Sequence, residues 1–170
     1  MKVIDYNGTG RWTLDAIRDR YAEHARRLHV PVPTDLTPHE HSEGETRWIY
    51  PVMDEVIAGI EAGDPACVEL GVEFIEEDQR FTFGKRLKSN AARALRRAQL
   101  DAGQVERVRN RVLGMLVAGE VPHEFREYAK LLRKIGVGDR WQLVRERLDL
   151  SNPYVKRFYE YFNVATKDHV

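Results

Sequence analysis

The chain has 170 residues with 27 Lys/Arg and 27 Asp/Glu, so its net charge is zero. A chain of this length buries roughly 70% of its unfolded surface, so it needs neither disulfides nor a metal to fold. Its single cysteine, Cys67, excludes an internal disulfide framework, and no signal-peptide pattern or membrane-length apolar run is present. We therefore expect one domain over residues 1–170, a cytoplasmic location and no membrane association.

The zero net charge conceals an uneven distribution along the chain. Residues 1–80 carry 8 Lys/Arg and 17 Asp/Glu, whereas residues 81–170 carry 19 and 10. An acidic half joined to a basic half is typical of nucleic-acid binding or of head-to-tail contacts between molecules. The alternative is that neighbouring helices of one molecule neutralise each other.

The first 47 residues combine one predicted helix with a long loop. Residues 3–6 favour a short strand, and apolar residues spaced by three and four predict an amphipathic helix over 13–29. Three prolines then interrupt residues 30–46, and proline both removes a backbone donor and disfavours helix in the residue before it. A loop of this length in a compact domain is either functional or disordered.

From Trp48 onward, helix caps divide the chain into successive helices. Helical periodicity covers residues 51–62, 65–78, 84–98, 102–118 and 122–135. The sequence has N-cap patterns at Asp64 with Pro65, at Asp101 with Gln104, at Asp139 with Gln142, and at Ser151 or Asn152 before Pro153. Helix ends are indicated by Gly63, Gly119 and Gly136.

These signals predict an all-α fold of about eight helices. Residues 1–47 form the N-terminal helix and Pro-rich loop, residues 48–150 an array of antiparallel helix pairs, and residues 151–170 the C-terminal helix and tail. The predicted caps Asp64, Asp101 and Asp139 lie 37 and 38 residues apart, and alternate helices begin near residues 46, 84 and 121. Two helices per unit at this period indicate a helical repeat.

Over residues 46–150 the pattern resembles HEAT-type repeats, in which a polar turn with Asp precedes the second helix of each pair. The resemblance implies a stack of helix pairs that serves as a protein-interaction scaffold or adaptor.

The most basic predicted helix covers residues 84–98. Its apolar side chains share one face, and its cations spread over the opposite side: Lys85, Arg86, Arg93, Arg96 and Arg97. Such a face attracts phosphates through counterion release without recognising a base sequence. The alternative is that these cations pair with residues 35–78, which hold thirteen acids and a single cation, Arg47.

The C-terminal segment 140–162 resembles a helix-turn-helix unit. The apolar positions of that motif are filled by Val144, Leu148, Leu150, Val155 and Phe158. Arg145 stands where the motif has a small residue. The resemblance implies contacts to the major groove or its phosphates from four polar residues, Ser151, Asn152, Lys156 and Arg157. The alternative is an ordinary helix junction.

The segment 39–45 contains two histidines among acids. His39 and His41 alternate as ligands on an extended chain would, and imidazole with carboxylate can bind a divalent transition metal. Two histidines without a third fixed ligand do not make a site, so we expect no tight metal site there. Cys67 shares a face with Leu70 and Phe74, which predicts burial rather than use as a nucleophile.

Three functional hypotheses follow from these patterns. The first is a non-enzymatic nucleic-acid-binding protein that uses the basic helix and the C-terminal segment. The second is a HEAT-like scaffold that binds an acidic protein partner or associates head to tail with itself. The third is a metal-dependent enzyme that uses the 39–45 loop. No catalytic dyad, phosphate loop or dinucleotide fingerprint is evident in the sequence, so we expect no cofactor.

Overall fold

The computed structural model describes residues 1–78, 80 and 82–167. Within these residues the protein has eight α-helices, one short 3-10 helix and a three-stranded sheet, which confirms the predicted helical fold class. The chain divides into two compact units, unit 1 (Met1–Gln99) and unit 2 (Leu100–Val170). The boundary between the units falls between residues 84–98 and 102–118, which are the two predicted helices of the second pair of the array. The prediction of one domain with divisions after residues 47 and 150 stays a prediction.

Unit 1 begins with a small sheet that joins distant parts of its sequence. The strands are β1 (Lys2–Asp5), β2 (Glu40–Glu43) and β3 (Thr46–Ile49), in the order β1-β3-β2. β1 pairs in parallel with β3, whereas β2 pairs antiparallel with β3 across a two-residue turn in which Gly44 has a φ of 56°. Positive φ at such a turn is typical of a tight hairpin and favours glycine.

The sheet confirms one prediction and corrects two. The strand predicted at residues 3–6 is β1, displaced by one residue. Residues 40–43, predicted to be part of a loop, form β2, and the helix predicted to begin near Thr46 is instead β3. Thr, Trp and Ile in β3 have side chains that suit a pleated strand, and pairing with two other strands stabilises that conformation.

The helices of unit 1 surround one buried helix. They are α1 (Leu14–Arg27), α2 (Met53–Glu61), α3 (Pro65–Glu77) and α4 (Gly84–Arg97), and a 3-10 helix (Gly10–Trp12) precedes α1. Ten of the 13 residues of α3 are buried, and α3 packs against α1, α2 and α4. A helix that is buried nearly all round is the central element of its core.

Small residues let α2 and α3 approach closely. A Cβ atom added at Gly59 would lie 2.3 Å from the Cys67 Sγ atom. Cys67 has no solvent exposure, which confirms its predicted burial. Burial raises the pKa of the Cys67 thiol to about 12, so the thiol stays protonated and unreactive near neutral pH.

The N-cap of α3 also holds the Pro-rich loop. Asp64 Oδ1 accepts hydrogen bonds from the backbone N–H groups of Ala66 (2.8 Å) and Cys67 (3.4 Å), which confirms the predicted cap. Asp64 Oδ2 accepts from the hydroxyls of Tyr21 and Thr34, each at 2.6 Å, and the Thr34 backbone N–H donates to the Tyr21 oxygen at 2.8 Å. One carboxylate therefore joins α1, the loop and α3.

Hydrogen bonding decides the ionisation of this carboxyl group. Burial by itself raises the pKa of Asp64, but hydrogen bonds from Thr34, Tyr21 and two backbone N–H groups together hold it below its usual value. Burial and the neighbouring carboxylate raise the pKa of Tyr21. Asp64 is thus a charged acceptor with four donors around it at neutral pH.

A second polar network, the α1–α3 charge cluster, consists of Arg11, Arg20, His24, Glu73 and Glu77. Arg20 is only 12% exposed; it forms an ion pair with Glu73 and lies 3.4 Å from Glu77 Oε1. His24 Nε2 lies 2.6 Å from Glu73 Oε1, and the Trp12 indole N–H donates to Glu77 Oε2 at 2.7 Å. The cluster neutralises part of the acidic half of the sequence inside unit 1.

Unit 2 consists of α5 (Ala102–Ala118), α6 (Phe125–Ile135), α7 (Trp141–Arg145) and α8 (Pro153–Lys167). Its core contains large side chains with at most 1% exposure from three helices: Phe125, Tyr128, Trp141 and Phe162. Asp101 and Gln104 form the predicted capping box, and Gly119 ends α5 at a φ of 74°. Gly136 follows the last residue of α6, as predicted.

The segment that includes α7 and its connection to α8 departs from both the HEAT-type repeat pattern and the helix-turn-helix pattern. The cap predicted at Asp139 with Gln142 is wrong, because α7 begins at Trp141 after Arg140 and has no side-chain cap. α7 has only five residues, and residues 146–152 separate it from α8. A helix-turn-helix unit has a turn of about three to four residues. Only two of the three predicted repeat caps are therefore present, and the α7–α8 connection is longer than the turn of the DNA-binding motif.

Candidate binding groove

The predicted basic face lies on α4, and part of it is paired inside unit 1. Arg86 makes two hydrogen bonds to the carboxylate of Asp54 on α2, at 2.7 and 2.9 Å, and these bonds raise the pKa of Arg86. Arg97 lies 3.4 Å from Glu61 at the end of α2. These two contacts pair cations of the basic helix with acids of residues 35–78, which was the alternative to nucleic-acid binding in the sequence analysis.

The remaining cations of α4 have different environments. Lys85 and Arg93 are exposed, Arg96 is half-buried, and Arg93 donates to Asn90 Oδ1 at 3.0 Å. Lys88, which the sequence did not single out, is buried and lies 2.9 Å from Asp78. Residues 1–99 hold 14 Lys/Arg and 17 Asp/Glu, net minus 3, so most of the charge asymmetry is balanced within unit 1.

The predicted polar residues at the start of α8 serve local structure. Asn152 Oδ1 accepts from the backbone N–H groups of Tyr154 (3.0 Å) and Val155 (3.4 Å), which confirms its cap. The Ser151 hydroxyl donates to Asp149 Oδ1 at 2.5 Å, and this bond with the Ser151 backbone N–H holds the pKa of Asp149 below its usual value. Lys156 and Arg157 are exposed on α8.

The two predicted weak metal ligands lie against aromatic rings. His39 packs near Tyr50, with ring centroids 5.4 Å apart, and His41 stacks on Trp48 at 5.5 Å. In the part of the chain that the structure describes, no group of three or more His, Cys, Asp or Glu side chains is placed to hold a metal ion.

A groove lies between α6 and α8 of unit 2. Its volume is about 510 Å³. It is lined from α6 by Arg126, Ala129, Lys130 and Arg133, and from α8 by Arg157, Phe158, Glu160, Tyr161 and Val164. Of the residues predicted to bind nucleic acid, only Arg157 belongs to this lining.

Helical periodicity explains why these side chains share one surface. On α6, positions 126, 129, 130 and 133 have the i, i+3, i+4, i+7 spacing of a single helix face. The opposite face of α6 buries Phe125, Tyr128 and Leu132 in the core. Seven residues of helix rise by about 10 Å, so each helix contributes about two turns to the groove.

The groove has an apolar floor and a cationic rim. Phe158 packs edge-on against Phe125, with ring centroids 4.8 Å apart, and the Arg133 guanidinium lies 5.0 Å from the centre of the Tyr161 ring. Val164 is an apolar side chain that remains 59% exposed. Four cations and a single carboxylate, Glu160, line the groove. The arrangement can hold an anionic ligand that also presents apolar surface.

Sequence reasoning missed three of the four cations, namely Arg126, Lys130 and Arg133. Their spacing in the segment FREYAKLLRKI was visible, because every third or fourth residue on one face is basic while the other face is apolar. The signal that was lacking was the second helix, since nothing local pairs residues 126–133 with residues 157–164.

No protein-family model, curated protein or solved structure matches this chain. None of the described helices is both long enough and apolar enough to cross a membrane.

Proposed function

We propose that the protein is a non-enzymatic binding protein that recognises an anionic macromolecule through the groove between α6 and α8. The proposal rests on the composition of that groove, in which four cations and one carboxylate surround an apolar floor. Lys130 is half-buried and pairs with Glu127 at 3.2 Å, whereas Arg126, Arg133 and Arg157 are exposed. Exposed cations favour an anionic partner by Coulomb attraction and steer its approach.

The chemistry of the lining favours binding over catalysis. Arginine stays protonated at any physiological pH, so Arg126, Arg133 and Arg157 donate hydrogen bonds but do not abstract protons. The described lining residues include no His, Cys, Ser or Thr, and the one carboxylate, Glu160, is exposed to solvent. Carboxylate and phosphate oxygens both suit the planar guanidinium fork.

Nucleic acid is a candidate partner because α8 combines two cations with an exposed ring. Lys156 and Arg157 are neighbours, and Tyr154 is 65% exposed on the same helix; of these three residues Arg157 lines the groove and the other two lie outside it. Aromatic side chains beside cations stack on unpaired bases and contact phosphates. An acidic protein is the other candidate, and the apolar floor favours it.

The test measures binding of three labelled probes by fluorescence anisotropy. The probes are random duplex DNA, single-stranded RNA, and a peptide of about 16 residues with Leu on one face and Glu on the other when helical. This length exceeds the roughly 12–15 residues below which isolated helices are marginal. An Arg126→Glu, Arg157→Glu double variant should bind its preferred probe more weakly by on the order of tenfold, because two attractions become repulsions.

The matched control for this variant is Arg97→Glu in unit 1, which should leave binding unchanged. Absence of binding of all three probes at about 50 mM salt, where electrostatic attraction is strong, contradicts the proposal. Equal binding by the wild type and the double variant contradicts it as well.

A further inference from the structure

We propose that the partner is a protein and that it inserts an acidic amphipathic helix into the α6–α8 groove. This inference rests on the proposed function, since it names which anionic macromolecule the groove recognises. Three properties of the groove support it: its length, its apolar floor and the position of its charges.

The length of the groove matches a helix. Both α6 and α8 contribute about two turns, or about 10 Å, to the lining. A bound helix presents side chains at positions i, i+3 or i+4, and i+7 along one face, and these span the same two turns.

The apolar floor distinguishes a protein helix from nucleic acid. The half-buried Phe158 and the exposed Val164 offer carbon surface and no hydrogen-bonding group, whereas Ala129 is almost fully buried beneath them. A base can stack on the Phe158 ring, but nucleic acid has no aliphatic side chain to cover Val164, whereas leucine or phenylalanine anchors on a helix remove both surfaces from water. Val164 is the most exposed apolar side chain of the floor, so a bound partner removes more of its surface from water than of any other floor residue.

The charges lie where a helix carries its flanking residues. Arg126 and Arg133 are exposed on α6 beside the floor, and Lys130 between them pairs with Glu127 at 3.2 Å. An amphipathic helix with apolar anchors in the groove has its next positions beside these cations, so glutamate or aspartate there forms ion pairs. The Tyr161 ring under Arg133 fixes one guanidinium and lowers the entropy lost on pairing.

The experiment uses the full chain and two peptide probes. One is the Leu/Glu amphipathic peptide described above, and the other has the same composition in a scrambled order that destroys the apolar face. We expect the amphipathic peptide to bind at least about tenfold more tightly than the scrambled one, because only the former buries two or more large apolar side chains together.

Matched variants on α8 separate the floor from the rim. Val164→Asn should weaken peptide binding by about fivefold to tenfold through the loss of apolar contact, whereas Tyr154→Asn, an equally exposed site outside the groove, should leave it unchanged. Arg157→Glu should weaken peptide binding, whereas Lys156→Glu, which adds the same charge on the adjacent residue outside the lining, should have less effect.

Each contrary outcome has a distinct meaning. Equal binding of the ordered and scrambled peptides, with no effect of Val164→Asn, overturns the inference but leaves a generic anion-binding function. Tighter binding of DNA or RNA than of the peptide, with Lys156→Glu as damaging as Arg157→Glu, assigns the groove to nucleic acid and also overturns it. Absence of binding of every probe removes both the inference and the proposed function.

Discussion

The arginines of the α1–α3 charge cluster in unit 1 and those of the α6–α8 groove in unit 2 lie in different environments. In the α1–α3 charge cluster of unit 1, Arg20 is 12% exposed and lies between Glu73 and Glu77. Along the α6–α8 groove of unit 2, Arg126, Arg133 and Arg157 are exposed around an apolar floor. A buried cation must be paired because its desolvation is costly, whereas an exposed cation is free to attract a partner. Charge counted along the sequence therefore says little about which cations can bind.

The largest expected effect comes from removing Glu73. Glu73→Ala leaves Arg20 and His24 without their common partner in a mostly buried position, so we expect unfolding to require about 3 kcal/mol less free energy. Urea denaturation measures this change, and hydrogen exchange in α3 localises it to unit 1. Glu160→Ala in the groove is the matched control, with an expected change within about 0.5 kcal/mol. Equal effects of the two variants would mean that the comparison between the units is wrong.

The second effect concerns Asp64, where one carboxylate satisfies four donors. Asp64→Ala removes a helix cap and leaves the Tyr21 and Thr34 hydroxyls without their acceptor, so we expect a loss of about 2–3 kcal/mol in the free energy of unfolding. Ala102→Ser in unit 2, next to the intact cap at Asp101, should change it by less than about 0.5 kcal/mol.

The same residue gives a pH dependence of defined sign. The folded-state pKa of Asp64 lies below the usual value of 3.8, so its contribution is complete above that pH and is lost as the pH falls through the folded-state value. The stability difference between the wild type and Asp64→Asn should therefore be constant at neutral pH and shrink in acid. A difference that grows as the pH falls below 3.8 contradicts this assignment.

Substitutions at two helical glycines, one in each unit, test how closely the helices around them are packed. Gly59→Ala in unit 1 brings a Cβ atom to 2.3 Å from Cys67 Sγ, so we expect a destabilisation of about 1–3 kcal/mol from overpacking. Gly114→Ala on α5 of unit 2 meets no atom within 4 Å and should stabilise the protein by up to about 1 kcal/mol through helix propensity. Opposite signs in thermal denaturation are the expected result, and stabilisation by both changes contradicts the close packing of α2 on α3.

The smallest expected effect is on the stability of the groove variants. Arg126→Ala and Arg157→Ala should each change the free energy of unfolding by less than about 0.5 kcal/mol, because exposed cations contribute little to folding. Circular dichroism during urea denaturation checks this directly. A loss of more than about 1 kcal/mol, well beyond that range, would show that these cations hold unit 2 together and are not reserved for a partner.

Short-range signals made much of the fold predictable. Asp64 with Pro65 and Asp101 with Gln104 start helices because each side chain accepts from N–H groups two or three residues away. Gly119 ends α5 because its left-handed backbone is available to glycine without strain. Short-range signals gave a wrong prediction at Asp139, where the cap pattern occurs without the cap. They were also wrong at Thr46, where pairing with distant strands overrides a helix boundary inferred from periodicity.

The amino-acid sequence by itself determined the helical class, the number of helices and most of their ends, because propensity and capping act over three or four residues. Tertiary structure alone decided the parallel pairing of β1 with β3, the joining of α1 and α3 through Glu73, and the hydrogen bond from Tyr21 to Asp64, since these contacts link residues more than 40 positions apart. Tertiary structure also decided which cationic side chains remain exposed to solvent. The pairing of Arg86 with Asp54 and the meeting of α6 with α8 depend on how helices pack, and packing is set by whole apolar faces rather than by any short stretch of sequence.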